Sequence, residues 1–149
     1  MLECAIMDSA TLVVTNRISE LRRMSQWLRE RCTLAGASED LIQRLDLCAN
    51  EALANIMSYA YSDDAVHDIA LTLDAACDHV RLGIRDDGKP FNPLAVPEHA
   101  MPASLAEASI GGLGVHLIRK MMTSCTYERL AAHNVLTLDA SADKLSRHA

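Results

Sequence analysis

Apolar residues at Ile18, Leu21, Met24, Leu28 and Cys32 recur at steps of three and four, which predicts a helix from Ile18 to about Cys32. Arg22, Arg23, Arg29 and Arg31 lie largely off that stripe. Gly36 ends the helix. Ser38, followed by Glu39 and Asp40, starts the next one with a capping hydroxyl and two carboxylates for the positive end of the dipole. This second helix runs from about Glu39 to Tyr59, with Leu41, Leu45, Cys48, Ala52 and Ile56 along its apolar side. Elsewhere the period is two. Ile69, Leu71 and Leu73 share one face of a strand over 68–74, and Val80, Leu82 and Ile84 share one face of a strand over 79–85. Residues 74–78 join them as a hairpin. A short strand is expected at 11–14, and a second hairpin at 124–130 and 134–139. Gly111, Gly112 and Gly114 open a third helix carrying Val115, Ile118, Met121 and Met122. The order β-α-α-β-β-loop-α-β-β predicts an α+β fold: a two-layer sandwich of a mixed, mainly antiparallel sheet with helices on one face.

The irregular stretch 86–110 holds all four prolines, Pro90, Pro93, Pro97 and Pro102. A loop of that length inside a compact domain is uncommon and often functional. The 149 residues suit one domain, with a core over about 11–139 and a frayed tail from Ser141. Half the residues are hydrophobic, and 14 Lys plus Arg against 20 Asp plus Glu give a net charge of −6. That balance argues against direct nucleic-acid binding, which needs a basic footprint. No apolar run reaches the ~18–20 residues of a membrane span. The first residues lack the pattern of a signal peptide, so a cytoplasmic location is expected. The five cysteines form no CxxC pair and read as small apolar residues rather than as a disulfide framework or zinc site. The six histidines show no metal-ligand spacing.

Three groups of residues carry candidate chemistry. Glu51 and Asn55 are four apart on the second helix, so they share a face at the rim of its apolar stripe. Such an oxygen-bearing pair suits Mg²⁺ beside a phosphate, although a solvated helix edge reads the same way. Asp86, Asp87, Gly88, Lys89 and Pro90 follow an apolar strand. A carboxylate there can accept from an exocyclic amine such as that of adenine, and Gly88 lets backbone approach a ring closely, while Asp-Gly is also a common turn. Gly111-Gly112-Leu113-Gly114 precedes a helix, where bare N–H groups and the dipole suit phosphate, or where a hinge is needed.

Together, and in this order, the three groups resemble the N, G1 and G2 boxes of the GHKL ATPases, a superfamily that includes gyrase B, MutL and histidine kinases. Glu51-Ala-Leu-Ala-Asn55 matches the N box, Asp86-x-Gly88 the G1 box and Gly112-x-Gly114 the G2 box. The loop over about 91–110 falls where that superfamily has its ATP lid. Asp86 to Pro93 reads DDGKPFNP, which is similar to the G1 stretch of the anti-sigma factor serine kinases of bacterial partner-switching systems. Asn92 stands where those kinases usually have Asp. Ser109-Ile110-Gly111 has no arginine before the second glycine box, which leaves Lys89 as the nearest basic residue in sequence.

The resemblance implies ATP and Mg²⁺ as cofactors. Glu51 would be the general base for a serine hydroxyl, Asn55 the Mg²⁺ ligand and Asp86 the adenine reader. Gly88, Lys89, Gly111, Gly112, Leu113 and Gly114 would surround the nucleotide. It further implies a homodimer that holds a sigma factor through arginines of the first helix, Arg22 and Arg23, and that phosphorylates an anti-anti-sigma partner of the STAS type. An ATP-dependent binding switch without phosphoryl transfer is the alternative. A histidine-kinase catalytic domain fits less well, for want of a dimerisation hairpin. A gyrase-like or MutL-like ATPase fits less well, for want of a transducer domain.

Overall fold

The computed structural model describes residues 7–95 and 112–142. Five strands form one sheet: β1 (Asp8–Thr15), β2 (Asp68–Ala76), β3 (His79–Asp86), β4 (Ser124–Leu130) and β5 (His133–Ser141). Three α-helices cover one face: α1 (Leu21–Leu34), α2 (Glu39–Tyr59) and α3 (Gly112–Met121). The start expected for the first helix, Ile18–Glu20, is a 3₁₀ turn leading into α1. The rest of the predicted order of elements holds.

The helix ends are chemically specified. Ser38 Oγ accepts from the Leu41 N–H at 3.2 Å and caps α2. At the end of α1, Gly36 adopts φ +85. Its N–H donates to Thr33 O, and the Ala37 N–H donates to Cys32 O at 3.0 Å, the paired bonds of a Schellman stop.

The strand order is β1-β2-β3-β5-β4, and every pairing is antiparallel. The expected mixed sheet is thus corrected. Two helices between β1 and β2 return the chain to the edge where β1 ended, so β2 runs back along β1. The single helix after β3 does bring β4 parallel to β3, but β5 inserts between them and removes the parallel contact.

The core lies between sheet and helices. Val14, Ile69, Leu71, Leu73, Val80, Leu82, Ile84, Leu136 and Leu138 point from the sheet into Met24, Leu28, Leu45, Ala49, Leu53, Ile56 and Ile118. Burial pushes the Cys32 thiol up to about 11 and the Cys48 thiol up to about 12, which leaves both as inert core residues. Cys77, at the β2–β3 turn, is disulfide-bonded, contrary to the reading of all five cysteines as apolar fillers.

One buried position of α2 is charged. Arg44 of α2 is only 4% exposed. Its guanidinium donates to Met121 O at 2.9 Å and 3.1 Å and to Ser141 O at 3.3 Å, so it caps the carbonyl end of α3 and clamps it to the end of β5. Arg44→Met keeps the volume but leaves these carbonyls without a donor. Urea denaturation is expected to show a loss of about 2–3 kcal/mol. An unchanged midpoint would show that water replaces the guanidinium.

Candidate functional site

The carboxyl end of β3 builds the most organised polar cluster among the described residues. Asp86 is 2% exposed. Its Oδ1 accepts from the Gly88 N–H at 2.8 Å and from Asn134 Nδ2 at 2.9 Å. Its Oδ2 has no donor among the described residues. Burial raises the carboxyl's pKa, and the two hydrogen bonds oppose that rise. The result is a fixed carboxylate with one oxygen held by protein and the other open to a ligand donor.

Asn134 holds this turn and was not anticipated from the sequence. It is 3% exposed and lies directly across from Asp86 in the β3–β5 register. Its amide also donates to Lys89 O at 2.9 Å, and its Oδ1 accepts from Tyr127 Oη at 2.5 Å, Arg129 at 3.1 Å and the Phe91 N–H at 3.2 Å. Arg129 donates in turn to Gly88 O at 2.8 Å. A lone Asn at the start of an apolar strand was the available signal, but only the pairing register links it to Asp86.

Gly88 is also required for a close approach within the fold. A Cβ there would collide with Ala60 O and lie 2.8 Å from Ala60 Cβ. The Lys89 N–H donates to that same carbonyl at 2.8 Å. The turn thus seats on the C-terminal end of α2. Lys89 uses its backbone in these bonds, and its side chain is exposed.

Glu51 and Asn55 lie one turn apart on α2, and Glu51 meets the beginning of α3. A Cβ on Gly114 would collide with Glu51 Oε1, so this glycine lets the first turn of α3 lie against the carboxylate. The Cys48 thiol, one turn before Glu51, meets Leu117 O at 4.0 Å. Asn55 is 9% exposed, and its amide has no hydrogen-bond partner among the described residues. Gly112 and Leu113 are the first residues of α3. Gly111 lies outside the described residues, as does the expected lid from 96 to 110. The start of that loop is well anchored. Asn92 Oδ1 accepts from the Leu94 N–H at 2.8 Å, so the amide makes the turn that Asp would make. Phe91 packs on Tyr59 with ring centroids 5.9 Å apart, and Arg119 of α3 donates to Leu94 O.

The donor set suits a nucleotide with Mg²⁺. Asp86 Oδ2 and the Asn55 amide are polar groups without partners among the described residues, and the N-terminal turn of α3 lies beside Glu51. No group of three or more His, Cys, Asp or Glu among the described residues is arranged to hold a metal. An ion here would take one or two protein oxygens and complete its shell with phosphate and water, the usual habit of Mg²⁺.

The arginines of α1 divide. Arg23 donates to Glu20 at 2.9 Å and 3.0 Å and to Val13 O at 2.8 Å. Together with the Thr15 N–H it holds the Glu20 carboxyl down at about 2. Arg29 pairs with Asp46 and Glu39, and Arg31 with Asp8. Arg22 is exposed and has no such partner among the described residues.

The fold and these motifs define a histidine kinase-like ATPase domain, and residues 14–139 match the model of that family. The chain belongs to it. It is 38% identical over 94 residues to the serine/threonine-protein kinase BtrW of Bordetella bronchiseptica, an alignment covering 63% of this chain and 66% of the relative. It is 31% identical over 97 residues to the serine-protein kinase RsbW of Staphylococcus epidermidis, covering 62% of this chain and 61% of the relative. The chain thus matches just under two thirds of the length of these relatives. Among solved structures, the RsbU and RsbW domains of a Mycobacterium tuberculosis protein superpose with a TM-score of 0.62 at 17% identity, covering 90% of this chain and 32% of that one, a likeness of fold. Among the described residues, no helix is long and apolar enough to cross a membrane.

Proposed function

We propose that this chain is a cytoplasmic, ATP-dependent protein-serine kinase that is also an anti-sigma factor. It holds a sigma factor as a homodimer and phosphorylates a serine on an anti-anti-sigma partner of the STAS type. The observation that carries the nucleotide reading is Asp86, with one oxygen locked by Gly88 and Asn134 and the other without a partner among the described residues. The transfer reading is supported by the serine-kinase relatives and by the placement of Glu51 against the start of α3.

In this reading Asp86 Oδ2 accepts from the adenine amine, and the Asn134 network keeps it aimed. Asn55 ligates Mg²⁺, and the backbone of Gly112, Leu113 and Gly114 faces phosphate, with Gly111 and Lys89 at its margin. Bound ATP supplies the phosphoryl group. Glu51 takes the proton from the incoming serine hydroxyl. A second reading, a binding switch without transfer, is favoured by the absence of arginine in Ser109-Ile110-Gly111, since phosphoryl transfer relies on positioned cationic charge. Incubation with γ-labelled ATP and a STAS-type protein separates the two. Label on a partner serine is expected; ATP binding without label would replace the kinase by the switch.

Partner binding centres on Arg22, because Arg23, Arg29 and Arg31 are occupied within the chain. Arg22→Glu is expected to weaken sigma-factor capture about tenfold, more at low salt, with ATP affinity unchanged. Undiminished capture in a pull-down would move the interface elsewhere. Arg23→Glu is a poorer probe, because it also breaks the Glu20 and Val13 contacts.

A further inference from the structure

His67 stands where the connection after α2 meets the Asp86 turn. Its Nε2 lies 2.9 Å from Asp63 Oδ1, and its Nδ1 lies 3.4 Å from Asp87 Oδ1. One imidazole therefore faces two carboxylates from two segments, and only its doubly protonated form donates to both. The ring also stacks on Tyr61, with centroids 4.5 Å apart and planes at 20°, an arrangement that favours a cation. The backbone beneath it is fixed: the His67 N–H donates to Asn16 Oδ1 at 2.9 Å, and His67 O accepts from the Asn16 N–H at 3.0 Å. Asp63 is steadied by the Ala65 N–H at 3.1 Å. The bridge therefore has one firm abutment, and the other, Asp87, immediately follows the buried Asp86.

We propose that His67 is a positioning residue for the Asp86 turn: in its protonated form it ties Asp87 to the 61–67 connection and so holds Asp86 for the nucleotide. The inference rests on the nucleotide reading of the site and adds to it a dependence on pH. The groups facing His67 are Asp63 and Tyr61 on its own connection and Asp87 beyond β3, and Asp68 at the start of β2 lines the cleft beside it. Arg85, Asp86 and His133 line the same open cleft of about 440 Å³. The carboxylates prevail, with Asp63 foremost, and raise the pKa of His67 above its ordinary value. A raised value means that the bridge is complete below the ordinary histidine pKa and is lost as pH rises through the raised one. Nucleotide affinity therefore falls in that direction.

Calorimetric titration with Mg·ADP between about pH 6 and about pH 8 tests this on wild type, His67→Gln and Asp87→Asn. His67 and Asp87 are partly solvent-exposed, so the coupling is modest. Wild-type affinity is expected to fall about threefold more across this range than that of either variant, the ligand's own ionisation cancelling in the comparison. His67 imidazole resonances followed by NMR should titrate at lower pH in Asp87→Asn than in wild type. Identical pH profiles in wild type and His67→Gln would overturn the positioning role, even with nucleotide bound throughout. A wild type that binds no nucleotide at any pH would instead overturn the nucleotide reading and this inference with it.

Discussion

Asp86→Asn is expected to lower ATP affinity by at least about tenfold, or about 1.4 kcal/mol, in a protein that stays folded. The asymmetry of the carboxylate is the reason. The amide oxygen of Asn can keep the bonds from Gly88 and Asn134 that Oδ1 makes now. The amide nitrogen then replaces Oδ2 and presents a donor to the adenine amine, itself a donor. A missing acceptor thus becomes a mismatch of two donors in a buried place, which costs more than the loss of an exposed hydrogen bond. Calorimetry measures the affinity, and circular dichroism checks the fold. Unchanged affinity in a folded variant would remove Asp86 from the nucleotide site.

Glu51→Gln should have the largest effect on turnover and little on binding. Gln has the shape of Glu, so its fit against Gly114 survives. It cannot accept the serine proton. A positioned base contributes about 10²–10⁴-fold, and phosphoryl transfer to the partner serine should drop within that range. Single-turnover transfer from labelled ATP, beside nucleotide titration on the same variant, measures both quantities. Transfer at the wild-type rate would exclude Glu51 as the base.

Much of the architecture was legible because the signals are local. The stripe of α1, its Gly36 stop and the Ser38 cap of α2 each depend on residues within a few positions, and each is found in the fold. The strands were legible from alternation, though β1, β2 and β5 extend a few residues further than the apolar pattern alone reaches. Strand order was not legible, since alternation says which face a residue takes but not which neighbour it meets. The insertion of β5 between β3 and β4 accordingly turned an expected mixed sheet into an antiparallel one.

The same distinction governs the site. The Asp86-x-Gly88 and Gly112-x-Gly114 motifs can be read in a line. The clamp of Asn134, Tyr127 and Arg129 cannot, because it exists only through the β3–β5 register. Arg44 reads as an ordinary polar helix residue until α3 packs beside it. Gly88 shows a third case: the need for glycine was foreseen, but the close approach of its backbone to Ala60 was not.

The insertion of β5 also sets a timetable. Asp86 and Asn134 are separated by 48 positions. At about 5–20 residues per second, a nascent chain spends roughly 2–10 s with its Asp86 turn synthesised but unclamped. During that interval β3 is an open edge, its outer row of N–H and C=O groups available to another chain. Docking of β5 closes that edge and aims Asp86 in a single event. On the proposed role of Asp86, competence to bind nucleotide and protection against edge-to-edge aggregation arise together, late in synthesis, and a nucleotide added during refolding would favour the step that ends both risks.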